Sequence, residues 1–242
     1  MATLFIADLH LEESRRDITD ALLDFLPRHC YGIDALYILG DLFENWIGDD
    51  ERTPLQQEVT QALQAVSASG TALYLMHGNR DLLIGNDFCQ RLGARLLDDP
   101  TVVDLYGEPT LLMHGDSLCI DDVEYMKFRR SVRDGSWHQA FLARPLAERQ
   151  MVAKQLRQLS QLKNQGKAQE IMDVNPGEVE RVMADKDVRA LIHGHTHRPK
   201  VHQFEVNQQP ARRLVLGDWD KRVWFIEAAA GQSPELRSLA PF

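Results

Sequence analysis

Three imidazoles alternate around a glycine in Leu191-Ile192-His193-Gly194-His195-Thr196-His197-Arg198. Imidazole is the commonest neutral ligand of borderline divalent ions, and a glycine between histidines removes the Cβ where the backbone must turn to aim two rings at one point. A single histidine at a strand end is more often a hydrogen-bonded structural residue, so the reading depends on what the rest of the chain supplies. It supplies the same regularity four more times. The apolar run 3–7 leads into Asp8-Leu9-His10, 35–39 into Gly40-Asp41, 72–76 into His77-Gly78-Asn79-Arg80-Asp81, and 110–113 into His114-Gly115-Asp116. Turn chemistry accounts for Gly, Asn and Asp at such places but not for His.

Asp8, His10, Asp41, Asn79, His114, His195 and His197 make seven groups, too many for one open catalytic ion but enough for two if a carboxylate bridges. Carboxylate, amide and imidazole ligands without thiolates suit manganese, iron or zinc. Two such ions ~4 Å apart clamp a phosphoryl group and lower the pKa of a shared water, which points to hydrolysis of a phosphoester or pyrophosphate.

The elements that position these residues are short apolar runs at 3–7, 35–39, 72–76, 110–113, 189–192, 213–216 and 223–226, read as buried strands. Helical patterns lie between several of them. The clearest spans 54–69, with Thr53 as N-cap, Pro54 at the first position, Gln56 completing a capping box and Gly70 as the stop. Such alternation implies a layered α/β arrangement, for which the residues alone favour a doubly wound sheet with its polar tips at one edge.

One domain spanning residues 1–242, with an insertion at 121–172 where long helical segments take over, fits the length. Between 127 and 167 ten basic residues face two acidic ones, a net +8 inside a chain of −9, which leaves −17 for the remainder. The insertion reads equally as an anion-attracting surface or as a helical hairpin with a solvated face. The overall negative charge argues against a nucleic-acid partner. Cys30, Cys89 and Cys119 form no paired motif and carry no assigned role. No leader and no apolar run of the ~20 residues needed to span a bilayer is seen, so any membrane contact is expected to be peripheral.

The blocks D-x-H at 8–10, G-D-x-x-E at 40–44, G-N-R-D at 78–81, H-G-D at 114–116 and G-H-T-H at 194–197 resemble, in order, those of the calcineurin-like metallophosphoesterases. That resemblance implies a β-sandwich flanked by helices in place of the doubly wound sheet. It implies one ion held by Asp8, His10, Asp41 and His197, and a second by Asp41, Asn79, His114 and His195, with Asp41 bridging. His193 then falls outside the set as a structural residue. Arg80 stands where the wider superfamily usually has histidine.

With the stretches 35–41, 46–50, 171–174 and 193–199, the Arg version resembles the UDP-2,3-diacylglucosamine pyrophosphohydrolases of lipid A biosynthesis nearly end to end. This implies hydrolysis of that pyrophosphate to UMP and 2,3-diacylglucosamine 1-phosphate, by a hydroxide generated between two ions that attacks the phosphorus nearer uridine. It also implies manganese as the metal, Asp41, Asn79, Arg80 and His195 as the catalytic residues, and Asn79, Arg80, Asp122, Ser160, Asn164, Lys167 and His195 as substrate contacts. Residues 121–172 become a helical cap over the acyl chains. A monomer bound peripherally to the cytoplasmic face of the inner membrane is expected. A metallophosphoesterase acting on a soluble dinucleotide, or a catalytically silent scaffold, is the rival reading.

Overall fold

A computed structural model describes residues 2–164 and 173–240, with the backbone alone described over 159–164. In chain order the elements are β1 (Ala2–Ile6), α1 (Arg16–His29), β2 (Ala35–Leu39), α2 (Pro54–Ala68), β3 (Ala72–Met76), α3 (Asn86–Leu92), β4 (Ala94–Leu97), β5 (Thr101–Leu105), β6 (Glu108–Leu112), α4 (Val123–Val132), α5 (Gly135–Leu142), α6 (Leu146–Asn164), α7 (Pro176–Asp185), β7 (Ala190–His193), β8 (Lys200–Val206), β9 (Gln209–Val215), β10 (Val223–Ala229) and β11 (Glu235–Leu239). The strands make two sheets, ordered β11-β10-β1-β2-β3-β4 and β5-β6-β7-β9-β8. The polar-tipped strands are therefore divided between two layers. A single doubly wound sheet is ruled out, and the sandwich flanked by helices is what the chain forms.

Strand periodicity builds the layers. Along β1, Leu4 and Ile6 join the core beneath α1, α2 and α3, whereas Phe5 lies in the core between the sheets with Leu39, Met76, Leu112, Ile192 and Leu214. In the second sheet Leu111 and Leu191 turn the other way, onto Val179 and Met183 of α7. Both faces of the central strands are covered, which is why their sequences are continuously apolar rather than alternating.

The N-terminus of α2 is built as its sequence predicts: the Thr53 hydroxyl accepts from the Gln56 amide at 3.2 Å, and the Gln56 side-chain oxygen accepts from the Thr53 amide at 3.0 Å. Sequence reading did not find β4, β5, β8 or β11. These strands include the sheet edges, where outward positions are polar: β8 carries Lys200, His202, Gln203 and Glu205 and is mostly exposed. Its turn into β9 uses Asn207 and Gln208, both at positive φ, a two-residue connection without the glycine that usually marks it.

Residues 123–164 form three helices rather than a two-helix hairpin. Several of their arginines pair with carboxylates of the sandwich. Arg129 and Arg133 reach the fully buried Asp116, Arg149 pairs with Asp50, and Arg157 pairs with Glu12. Among the described residues no helix is long and apolar enough to cross a membrane.

Phe25 is fully buried and its ring meets those of Trp219 and Phe225 edge-on at 5.3 Å. Phe25→Ala is expected to cost about 3–5 kcal/mol, the range for emptying an aromatic core site. Chemical denaturation monitored by Trp fluorescence checks this, and a cost below about 1 kcal/mol would contradict the packing described.

Candidate metal centre

The loops that follow β1, β2, β3, β6 and β7 meet at one end of the sandwich and are tied together by backbone bonds. The Asp8 amide donates to the Gly40 carbonyl at 3.1 Å and the His10 amide to that of Asp41 at 3.0 Å, while the Gly194 amide donates to the His114 carbonyl at 2.9 Å. The two layers are cross-connected by the site residues themselves. The His195 amide donates to Asp8 Oδ2 at 2.9 Å, and His114 Nδ1–H donates to the Leu39 carbonyl at 2.9 Å.

Two groups result, Asp8 with His10 and His197, and Asp41 with His114 and His195; within each, one potential ligand atom per residue lies within 4.8 Å of the others. His10 Nε2 and His197 Nε2 are 3.2 Å apart, and His197 Nε2 is 3.7 Å from Asp8 Oδ1. Asp41 Oδ2 lies between the groups, 3.8 Å from His10 Nε2 and 3.6 Å from His114 Nε2. Asn79 Oδ1 joins the second group, 3.1 Å from His114 Nε2. All seven residues expected as ligands are thus brought together.

The carboxylates show what the arrangement lacks in protein partners alone. Asp8 Oδ2 is held by the His195 amide, whereas Asp8 Oδ1 is buried without a hydrogen-bond partner among the described residues. Asp41 Oδ1 accepts from the Arg80 amide at 2.8 Å, which leaves Oδ2 facing the imidazoles. A buried carboxylate oxygen facing two histidine nitrogens, with no donor of its own, fits a divalent cation of N/O preference.

Electrostatics agree. Burial opposes a charge on His114, yet Asp41 and Asp8 raise its pKa to about 9; burial likewise opposes a charge on His197, but the nearby carboxylates of Asp218 and Asp8 raise it to about 10. Burial works against the ionised form of Asp8 too, but His197 and its neighbours hold its pKa well below the usual carboxylate range. Buried carboxylates therefore draw positive charge into this space. His195 is different: burial and the charge of His114 lower it to about 4, so its ring stays neutral with a lone pair free to ligate.

Among the described residues, nine that are not glycine have positive φ, and five of these are Asp8, His10, Asp41, His195 and His197. Left-handed backbone is uncommon outside glycine and is concentrated at functional sites that the surroundings over-determine. Two glycines permit the close approaches. A Cβ on Gly78 would lie 2.0 Å from Asp41 Oδ1, and one on Gly194 would lie 2.3 Å from Asp8 Oδ2.

His193 stands apart from both groups. It is fully buried, with Nδ1 bonded to the Gly194 carbonyl at 2.8 Å and Nε2 3.3 Å from Arg213 Nη1. Burial and Arg213 lower it to about 3, so it is a neutral structural histidine.

Of the expected substrate contacts, Asn79 and Arg80 line a cavity of about 230 Å³. Asp122 is the N-cap of α4, its carboxylate accepting from the Tyr125 amide at 3.0 Å. The side chains of Ser160 and Asn164, and Lys167 altogether, lie outside the described residues.

Several residues of the centre received no role from sequence. Asp81 is fully buried and accepts from the amides of Gly78, Asp41 and Leu42 at 2.9, 3.2 and 2.8 Å, fixing two ligand loops at once. Asp116 accepts from the Tyr125 hydroxyl and Arg129 Nε, both at 2.8 Å. Glu44 accepts from His10 Nδ1–H at 2.8 Å, and Asp218 faces His197 Nδ1 at 3.4 Å. The first three sit inside the motif blocks. Asp218 carried the same signal as the ligands, a Gly-Asp directly after an apolar run.

A family model described as calcineurin-like phosphoesterase matches residues 1–199. A protein of Marinobacter nauticus named UDP-2,3-diacylglucosamine hydrolase is 62% identical over 237 residues, covering 98% of this chain and 97% of its own. Proteins of the same name from Ectopseudomonas mendocina and Cellvibrio japonicus are 58% and 53% identical, covering 93% and 95% of this chain and 93% and 96% of their own.

Two outcomes are expected. Asp41→Ala should reduce bound divalent metal in elemental analysis and abolish phosphoesterase activity; full metal content with near-normal turnover would contradict the shared carboxylate. Because an ion must displace the protons that His114 and His197 hold in its absence, binding should release protons and affinity should rise with pH between about 6 and 8. Calorimetry in buffers of different ionisation enthalpy checks this, and zero proton release would oppose it.

Proposed function

The chain belongs to the calcineurin-like phosphoesterase family, and on that footing we propose that it hydrolyses UDP-2,3-diacylglucosamine at the pyrophosphate, giving UMP and 2,3-diacylglucosamine 1-phosphate for lipid A synthesis. The observation that carries the substrate is the cavity beside the metal centre. Its lining combines polar groups, among them Asn79, Arg80, Glu44 and Arg157, with the apolar side chains of Trp46, Leu83, Phe128, Phe141 and Leu156. Cationic and amide groups for a phosphate beside apolar walls for aliphatic chains match a diacylated sugar nucleotide, with each buried methylene worth about 0.8 kcal/mol. The near full-length likeness to proteins named for that substrate supports the same reading.

In this reading Asp8, His10, Asp41 and His197 hold one manganese ion and Asp41, Asn79, His114 and His195 the other. The ions supply Lewis acidity and activate the attacking water. The chain's own residues do the positioning. Arg80 Nε is buried without a hydrogen-bond partner among the described residues, a donor available for the negative charge that grows on a phosphate. The His195 ring is held between His114, 5.1 Å away, and Tyr125, 5.9 Å away, and places a neutral nitrogen at the reacting phosphate. Asp122, Ser160, Asn164 and Lys167 bind the sugar and its phosphates.

Residues 1–242 act as one metallophosphoesterase domain and a monomer, with 121–172 its cap. The cap exposes Val123, Phe128, Leu142 and Met151. Arg130 and Lys154 of these helices, and Arg144 in the turn between α5 and α6, have no carboxylate partner among the described residues. Apolar side chains beside unpaired cations suit peripheral contact with the anionic cytoplasmic face of the inner membrane.

The test is UMP release from the diacyl nucleotide with manganese. In ¹⁸O-water the label is expected in UMP; label in the sugar phosphate would place the attack on the other phosphorus, and hydrolysis of soluble dinucleotides alone would overturn the substrate. Lys167→Ala should raise KM several-fold with kcat retained, and an unchanged KM would remove Lys167 from the binding face.

A further inference from the structure

Glu44 is bound to three parts of the molecule at once. It follows the bridging Asp41 by three residues, and its backbone amide donates to the Leu11 carbonyl at 3.1 Å, fixing it against the loop that carries His10. Its side chain is 12% exposed, so a carboxylate here needs compensating partners. Oε2 takes the His10 Nδ1–H at 2.8 Å, while Oε1 faces Arg157 Nε at 3.3 Å and Arg80 Nη1 at 3.8 Å. Arg157 belongs to α6 and also reaches Glu12 at 2.8 Å.

Building on the dimetal reading above, we infer that Glu44 is a positioning residue that couples the ion position of Asp8, His10 and His197 to Arg80 and to the α6 cap helix. By accepting from Nδ1 it fixes the His10 tautomer and turns the Nε2 lone pair toward His197 and Asp41. Its charge also offsets the Arg80 guanidinium and, together with Glu12, that of Arg157. The contrast with the neighbouring histidines isolates this role. His114 Nδ1 is held by a neutral carbonyl, and His197 Nδ1 faces Asp218, which pairs with no arginine. Glu44 alone among these partners joins an imidazole of the centre to the cationic side of the cavity.

The experiment is a manganese titration of the full chain followed by EPR, paired with steady-state kinetics at saturating manganese. Wild type should bind two ions. Glu44→Gln keeps the size but not the charge; it should weaken one of the two ions by about 10–100-fold and raise KM. Asp218→Asn should weaken an ion and leave KM alone, and Arg157→Gln should raise KM and, through Glu44, alter the affinity for one ion. Wild type binding no manganese overturns the dimetal reading and this inference with it. Two ions in wild type and unchanged binding in Glu44→Gln overturns the inference alone. Should Glu44→Gln not fold, Arg157→Gln decides: raised KM together with an altered affinity for one manganese ion supports the coupling, and any other result overturns it.

Discussion

Two carboxylates that water barely reaches, Asp8 and Asp41, are the constraint around which the rest is arranged. A charge buried at such a place needs positive partners close by. Each gives one oxygen to a backbone amide and turns the other toward imidazoles from the opposite layer. The loops that deliver them take left-handed backbone at five positions, at a cost on the order of 1 kcal/mol or more apiece. Only a well-packed sandwich offsets such a cost, and the inter-sheet core beginning at Phe5 and Leu39 lies directly behind these loops. The fold and the centre are thus one problem: without the core the ligands spring apart.

What could be read beforehand was whatever repeats or alternates. The apolar runs at 35–39 and 72–76 are strands with those bounds, and their polar tips converge as expected. The capping signals around Thr53 are local chemistry and hold in place. Edge strands were not legible because their outward residues, such as Glu205 and Gln203 on β8, look like loop. Division into two sheets was not legible either, since a strand buried on both faces reads the same in one sheet as in two. Residue periodicity alone suggested a single sheet, and family resemblance supplied the sandwich.

At the centre, residue type identified the seven groups now found together, but not their supports. Asp81 and Asp116 look like ordinary turn residues in sequence, and only geometry shows one capping two ligand loops and the other gathering Tyr125, Arg129 and Arg133. Charge alone leaves the basic segment 127–167 open between an anion-seeking surface and a solvated face. Four of its arginines are ties onto carboxylates of the sandwich, the buried Asp116, the half-buried Glu12 and the exposed Asp50. The charge segregation of the chain therefore acts first within the molecule, drawing the helices of 123–164 onto the sandwich.

His10 and His197 touch although 187 residues separate them, and β1, which carries His10 beyond its end, is flanked by β10, formed by Val223–Ala229. During synthesis Asp8 and His10 emerge long before His197 can reach them. Until β10 forms, β1 is paired on the β2 side alone. A chain cut before residue 195 lacks both histidines that β7 delivers to the centre. Long-range closure of this kind is slow relative to local contacts, so the inter-sheet face of β1 to β3, which Leu105 and Leu112 cover only in part, must wait for Ile192, Leu214 and Ile226 to complete its cover.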